Sequence, residues 1–278
     1  MLKQRIVTAV VLLAVLLPAL FAPVAWPFAV LTLVVIGAAG WEWARLNGVA
    51  ELGSIVLGLM LAAACGFALW AGWAATAPRA VWWGATLVWV LGGVWALKVG
   101  PAGWPGLSGA MRCALGLVAL WTAWLALANA KSIGINFILS IFCLVWAADI
   151  AAYFGGKTFG KRKLAPAISP GKSWEGVWSG MLGVLILAAI WLAIDHSLAV
   201  DADSLYTRLC SQLGYAGLAA VLLFLAAMSV VGDLVESLAK RAAGAKDSSA
   251  LLPGHGGVLD RIDALLPVFP VALAMSSI

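Results

Sequence analysis

The sequence predicts an all-α polytopic integral membrane protein with about nine transmembrane helices and a functional site facing the cytoplasm. Three observations carry that prediction. The first is composition: of 278 residues, 64% are hydrophobic and 10% charged, whereas roughly a quarter of a soluble domain is charged. Mean hydropathy is +1.05. The second is a recurrence of apolar runs of about 17 to 22 residues, long enough to cross a hydrocarbon layer of about 30 Å as helices that satisfy their own backbone hydrogen bonds. The alternating pattern of a membrane β-barrel is absent. The third is the placement of basic residues, taken up below.

The first run, roughly 6–22, follows Lys3 and Arg5. No small-residue cleavage site precedes a polar mature start, so it is read as a retained helix and not as a signal peptide. The other runs fall at roughly 26–44, 53–73, 81–97, 113–129, 133–154, 174–194, 214–236 and 260–276, between Gly, Pro or charge breaks such as "TAPRA" and "VGPAGWPG". With a cytoplasmic N-terminus, Lys3, Arg5, Arg45, Lys98, Arg112, the loop cations Lys157, Lys161, Arg162, Lys163 and Lys172, and Lys240, Arg241, Lys246 and Arg261 all lie at the inner face. Only Arg79, Lys131 and Arg208 lie outside, as the positive-inside rule requires. The acidic loop "DHSLAVDADS" is then external. The net charge of +5 is therefore a membrane-surface feature and not a nucleic-acid footprint.

Cys65, Cys113, Cys143 and Cys210 show no CxxC or Cys/His pairing, and three lie in spans, where Cys acts as a small apolar residue. Repeats and low-complexity linkers are absent. The chain divides by chemistry. Residues 1–135 read as a scaffold of apolar helices, while 136–278 hold nearly all the groups capable of chemistry.

Three clusters make up that second part. In "WAADIAAYFGGKTFGKRKLAPAISPGKSWEG", Asp149 and Tyr153 share a helix face. A basic loop follows, and "SPGKS" reads as a helix start with Ser169 as N-cap and Pro170 at N1. Such an N-terminus with Lys172 and Ser173 beside it suits a phosphate. The fragments "GGKT" and "PGKS" are not P-loops, since the required leading glycine is Ala151 or Pro166 and no strand precedes either. A simple positive-inside anchor is the alternative, against which Asp149, Ser173 and Glu175 weigh. In "VVGDLVESLAKR", Asp233, Glu236, Ser237 and Lys240 form one helical stripe. An internal ion pair from Glu236 to Lys240 would explain part of it, but Asp233 has no basic residue in the preceding turns. The third cluster is "SLAKRAAGAKDSSALLPGHGGVLDRID", where Gly-rich "PGHGG" leads to Asp260 and Asp263 three residues apart. Paired carboxylates beside Lys and Arg suit a Mg²⁺–phosphate site, and His255 lies among them.

This last stretch closely resembles the signature of the phosphatidate cytidylyltransferases, the CDP-diacylglycerol synthases. It meets that pattern at Ser237, Lys240, Arg241, Lys246, Asp247, Pro253, His255, Gly256, Gly257, Asp260, Arg261 and Asp263. The segments "GDLVES" and "ISPGKSWEG" are also similar to family segments. Ala239 stands where a larger aliphatic is usual, outside the charged set. The resemblance covers about residues 145–265.

It implies attack of the phosphatidate phosphate on the α-phosphorus of CTP, giving CDP-diacylglycerol and pyrophosphate at the cytoplasmic side of a bacterial-type inner membrane. In that scheme Asp233 and Asp260 are the expected Mg²⁺ ligands, with Asp263 a further acid and Asp149 and Glu236 outer acids. Lys240, Arg241 and His255 join the catalytic set. Lys246, Asp247, Gly256, Gly257 and Arg261, with Ser169, Lys172 and Ser173, are expected to bind the substrates. Within that basic set, Lys240 and Arg241 are expected to serve CTP, and Lys161, Arg162 and Lys163 the lipid. Assistance by a monovalent cation stays open, and the resemblance further implies a homodimer that no residue demonstrates. Two rivals differ in kind. An anion transporter would place charges near mid-bilayer in both halves of a repeated chain, and a CTP-dependent polyprenol kinase would transfer the γ-phosphoryl group.

Overall fold

The structure is a computed structural model describing residues 2–277, with side chains described from residue 7 onward except residue 9. Its helices are α1 (Leu2–Phe21), α2 (Trp26–Leu46), α3 (Glu51–Trp70), α4 (Trp73–Thr76), α5 (Arg79–Gly103), α6 (Gly109–Ile133), α7 (Ile135–Phe159), α8 (Trp174–Ser197), α9 (Leu205–Ala242), α10 (Leu259–Ile262) and α11 (Leu265–Met275). A 3₁₀ turn, Trp104–Gly106, follows α5, and a hairpin of β1 (Lys163–Ala165) and β2 (Ser169–Ser173) joins α7 to α8.

Among the described residues, seven helices are long and apolar enough to cross a membrane: α2, α3, α5 with its 3₁₀ extension, α6, α7, α8 and α9. The all-helical, polytopic expectation therefore stands, but not every span in it. The ninth predicted span, 260–276, is instead two short helices. α11 has 11 residues, about 16 Å at 1.5 Å per residue, too short to cross. Its run Leu266–Ala274 is buried throughout, packed against α5, α6, α7 and α9. It is apolar on all sides because protein, not lipid, surrounds it. α1, Leu2–Phe21, has 20 residues and covers the first expected span, of which Val10–Phe21 is a continuous apolar stretch among the described residues.

A second expectation changes at "SPGKS". Ser169–Ser173 is not a helix start but a strand, pairing antiparallel with β1 in the register Lys163↔Ser173 and Ala165↔Ser169. Pro170, lacking an N–H, is tolerated in so short an edge strand. The cap falls four residues later, where Ser173 Oγ accepts the Gly176 N–H at 3.2 Å.

The two ends of the bundle are chemically distinct. At one, Trp43 Nε1 of α2 donates to the Arg112 carbonyl at 3.0 Å, and Arg241 Nε of α9 donates to the Ile168 carbonyl in the hairpin turn at 3.3 Å. At the other, Asp201 accepts the Asn136 N–H at 3.0 Å, Asp195 accepts from Thr207 Oγ1 at 2.6 Å, and Lys131 Nζ donates to the Leu20 carbonyl at 2.6 Å. Basic segments and the acidic loop thus sort to opposite ends, as the charge pattern predicted.

Candidate functional site

The site grows from the basic end of α9. One helical face there carries Asp233, Glu236, Ser237 and Lys240, as the i, i+3, i+4, i+7 spacing predicted. Ser237 Oγ donates to Asp233 Oδ1 at 3.2 Å, and Lys240 Nζ lies 2.5 Å from Glu236 Oε2. The ion pair weighed as the plain alternative for Glu236 is therefore present. It is not the whole account, because Lys240 Nζ also lies 2.5 Å from Asp260 Oδ1.

Two close approaches bring the remaining groups in. α7 and α8 pack through small residues: a Cβ on Gly176 or Gly180 would lie 2.9 Å from the Ala152 oxygen or 2.8 Å from the Ala148 oxygen. That contact holds Asp149 beside the hairpin and α9. Gly232 does the same against the α10–α11 corner, where an added Cβ would meet the Asp263 oxygen at 2.4 Å and Pro267 Cδ at 2.8 Å.

Between α7, β2, α8 and α9 lies a polar cavity of about 460 Å³, lined among others by Asp149, Tyr153, Lys157, Ser169, Lys172, Ser173 and Asp233. Lys172 Nζ sits 2.6 Å from Asp233 Oδ2, both side chains partly exposed. The hairpin keeps its place because Glu175 accepts the backbone N–H groups of Lys161 and Arg162 at 3.0 and 3.1 Å.

Next to the cavity the signature loop forms a drier group. Asp260 Oδ2 accepts the N–H of Gly257 at 2.7 Å, the N–H of Ser248 at 2.9 Å and Ser248 Oγ at 2.8 Å. Burial acts to raise its carboxyl, but Lys240 and these donors outweigh it and hold Asp260 down at about 2. Asp263 goes the other way: burial and the Asp233 carboxylate push it up. Gly256, at φ +83°, has the left-handed backbone that glycine favours, and a Cβ there would lie 2.7 Å from Asp260 Oδ2.

Of the residues expected to act, Asp149, Asp233, Ser169, Lys172 and Ser173 share the polar cavity. Glu236, Lys240 and Asp260 form the adjoining ion cluster. Lys246, Asp247, His255, Gly256, Gly257 and Arg261 are not in the cavity lining. The His255 carbonyl accepts Arg261 Nη2 at 2.9 Å, and Arg261 lines a separate apolar cavity with Phe28, Trp124 and Phe269. Arg241 is engaged with backbone, its Nη1 donating to the Ala245 carbonyl at 3.2 Å. Sequence reasoning missed Glu42, a fully buried carboxylate of α2 that accepts from Val258 N and Leu259 N at 2.9 and 2.6 Å. The signal was there: "GWEWARL" carries an acid at the end of an apolar span.

The donor set suits Mg²⁺, which takes hard oxygen ligands. Asp233 offers a partly exposed carboxylate whose partner is an exchangeable lysine. Asp260 has both oxygens occupied, so it could take a direct metal contact only where Lys240 now stands. No group of three or more His, Cys, Asp or Glu is drawn together as a ready-made cage among the described residues.

Fold and site together define an integral membrane protein with an acid–lysine centre at one end of a helical bundle. Residues 3–278 match the model of the Cytidylyltransferase family. The chain is 44% identical to the phosphatidate cytidylyltransferase of Pseudomonas aeruginosa over 99% of its own length and 97% of that protein's. It is 48% identical to the phosphatidate cytidylyltransferase of Haemophilus influenzae over 49% of this chain and 44% of that one. The Bacillus subtilis phosphatidate cytidylyltransferase is 41% identical over 51% and 48% respectively. The chain belongs to the phosphatidate cytidylyltransferase family, and so to the nucleotidyltransferases.

Proposed function

We propose that the chain joins CTP and phosphatidate at the basic, cytoplasmic end of the bundle, forming CDP-diacylglycerol for phospholipid synthesis and releasing pyrophosphate. A phosphate oxygen of the lipid forms the new bond to the α-phosphorus of CTP as the bond from that phosphorus to the pyrophosphate oxygen breaks. The lipid phosphate is already largely ionised near neutral pH, so no strong general base is needed. Positioning and charge neutralisation carry the catalysis.

The observation that carries this reading is the polar cavity walled by Asp149, Asp233, Lys172 and the Ser169–Ser173 strand, set where apolar helices end. It offers both carboxylates for a metal and cations for phosphates. Mg²⁺, held by Asp233 and by Asp260 directly or through water, would neutralise charge on the nucleotide phosphates. Lys172, released from Asp233, is placed to bind a phosphate oxygen. Ser169 and Ser173 bring hydroxyls to the same wall. Lys240 bridges Glu236 and Asp260, holding the signature loop on α9. Asp263 and Asp149 complete the acidic surround, while Arg261, held by the His255 carbonyl, lies at a separate apolar cavity.

The test is product identity. Purified protein in mixed micelles should move label from [α-³²P]CTP into a lipid that releases CMP on hydrolysis, with unlabelled pyrophosphate formed. Label entering the lipid from [γ-³²P]CTP instead would assign a lipid kinase and reject this reading.

A further inference from the structure

We propose that Glu42, in the N-terminal part of the chain, is a positioning residue for the reaction: its carboxylate clamps the signature loop so that Asp260 is presented to Lys240 in one geometry. The inference rests on the proposed function only for what the geometry is used for. The clamp itself is a matter of contacts.

Glu42 is 0% exposed and has no ion-pair partner among the described residues. A carboxylate in that position is costly unless donors surround it. Here they do. Oε1 accepts Val258 N at 2.9 Å and Ser249 Oγ at 2.5 Å, and Oε2 accepts Leu259 N at 2.6 Å with Ser248 Oγ 3.1 Å away. All four donors belong to the loop between α9 and α10 and the first residue of α10, more than 200 positions along the chain.

The pattern along that loop is specific. Three successive N–H groups are divided between two acids, Gly257 to Asp260 and then Val258 and Leu259 to Glu42. Ser248 stands between them, its hydroxyl 2.8 Å from Asp260 Oδ2 and 3.1 Å from Glu42 Oε2. That hydroxyl has one proton, so it donates to one carboxylate at a time. Gly257 is required by the same crowding: a Cβ would fall 2.0 Å from Ser248 Oγ and 2.4 Å from Glu42 Oε1. Displacing Glu42 therefore frees two backbone N–H groups and two hydroxyls next to Asp260, and with them the orientation of the carboxylate that faces Lys240.

The chemistry separates the substitutions. Glu42→Gln keeps volume, but either amide orientation points an NH₂ at a fixed backbone N–H, so one donor always faces a donor. Glu42→Asp keeps two accepting oxygens on a shorter arm. We expect Glu42→Gln to lower kcat by about 10- to 100-fold, the usual effect of removing an orienting partner of a metal-site ligand, while KM for CTP changes less than about threefold. Glu42→Asp should recover a substantial part of that kcat, which loss of bulk structure would not do.

Hydrogen exchange on the detergent-solubilised protein gives a readout independent of activity. In Glu42→Gln the amides of residues 257–259 should exchange at least about tenfold faster, with α7 and α8 unchanged. Unchanged exchange at 257–259, or faster exchange spread evenly over all helices, would overturn the proposal, as would unaltered kcat in Glu42→Gln. If wild-type protein makes no CDP-diacylglycerol, the functional reading fails while the exchange experiment still decides whether Glu42 holds the loop.

Discussion

Lys172 Nζ on β2 stands 2.6 Å from Asp233 Oδ2 on α9, an ion pair that ties the hairpin to the long helix across the mouth of the polar cavity. The acid expected to hold a metal and the lysine expected to hold a phosphate are thus partners. Under the proposed assignment, substrate and metal binding would exchange this pair for two separate contacts.

If Asp233 holds the metal as proposed, Lys172 would compete with it for that carboxylate. Lys172→Met should lower the Mg²⁺ concentration giving half-maximal activity several-fold, while kcat falls at least about tenfold through loss of a charge-assisted phosphate contact. Mg²⁺ titration of initial rates checks both. A rise in the Mg²⁺ requirement would show that Lys172 does not mask the ligand.

Asp233→Asn and Asp260→Asn keep side-chain size and remove charge. Each should reduce CTP-dependent turnover at least about 100-fold, the upper range for disturbing a metal site or its surround. Near-normal rates in both purified variants would remove the metal assignment.

Gly232→Ala tests the corner between α9 and α11. Its Cβ would press on the Asp263 oxygen at 2.4 Å, backbone that has little room to yield. Overpacking of this kind costs about 1–3 kcal/mol, so a lower thermal midpoint and a loss of activity through displaced Asp233 and Asp263 are expected. An alanine variant with wild-type midpoint and rate would show that the two backbones separate freely.

The hairpin cations Lys161, Arg162 and Lys163 should serve the lipid and not the chemistry. Glu175 holds the hairpin through the backbone N–H groups of Lys161 and Arg162, so neutralising the three side chains keeps those backbone contacts and removes only the exposed Arg162–Glu175 ion pair. The triple alanine variant should raise the apparent KM for phosphatidate in mixed micelles and keep kcat nearly unchanged, each basic group contributing about 1 kcal/mol of attraction to an anionic surface. Initial rates with lipid varied at saturating CTP measure this, and a collapse of kcat would place the hairpin side chains in the catalytic centre.

Orientation has a direct chemical readout. Lys161→Cys and Ala245→Cys should react with a membrane-impermeant thiol reagent from the cytoplasmic side alone, and Ala202→Cys from the outside alone. Labelling of the first two from outside would reject both the orientation and a cytoplasmic CTP site.

Hydropathy, charge placement and local spacing were readable along the chain because each acts over a few residues. They revealed the apolar helices, the sorting of basic and acidic segments, the stripe from Asp233 to Lys240 and the chemical nature of the signature. Local spacing misled where a local signal was shared by two structures. "SPGKS" satisfies the preferences of a helix start, yet Ser169–Ser173 pairs with β1 and passes the cap to Ser173. The run at 260–276 is as apolar as a span, yet it folds into a short helix enclosed by four others, since hydropathy does not distinguish burial in protein from contact with lipid. Glu42 marks the boundary most clearly. One buried acid in an apolar span announces a partner, but the four donors that satisfy it come from residues 248–259. Only close packing of α2 against the α9–α10 loop supplies them, because a hydrogen bond needs its atoms within about 3 Å and no pattern in the order of residues encodes that distance.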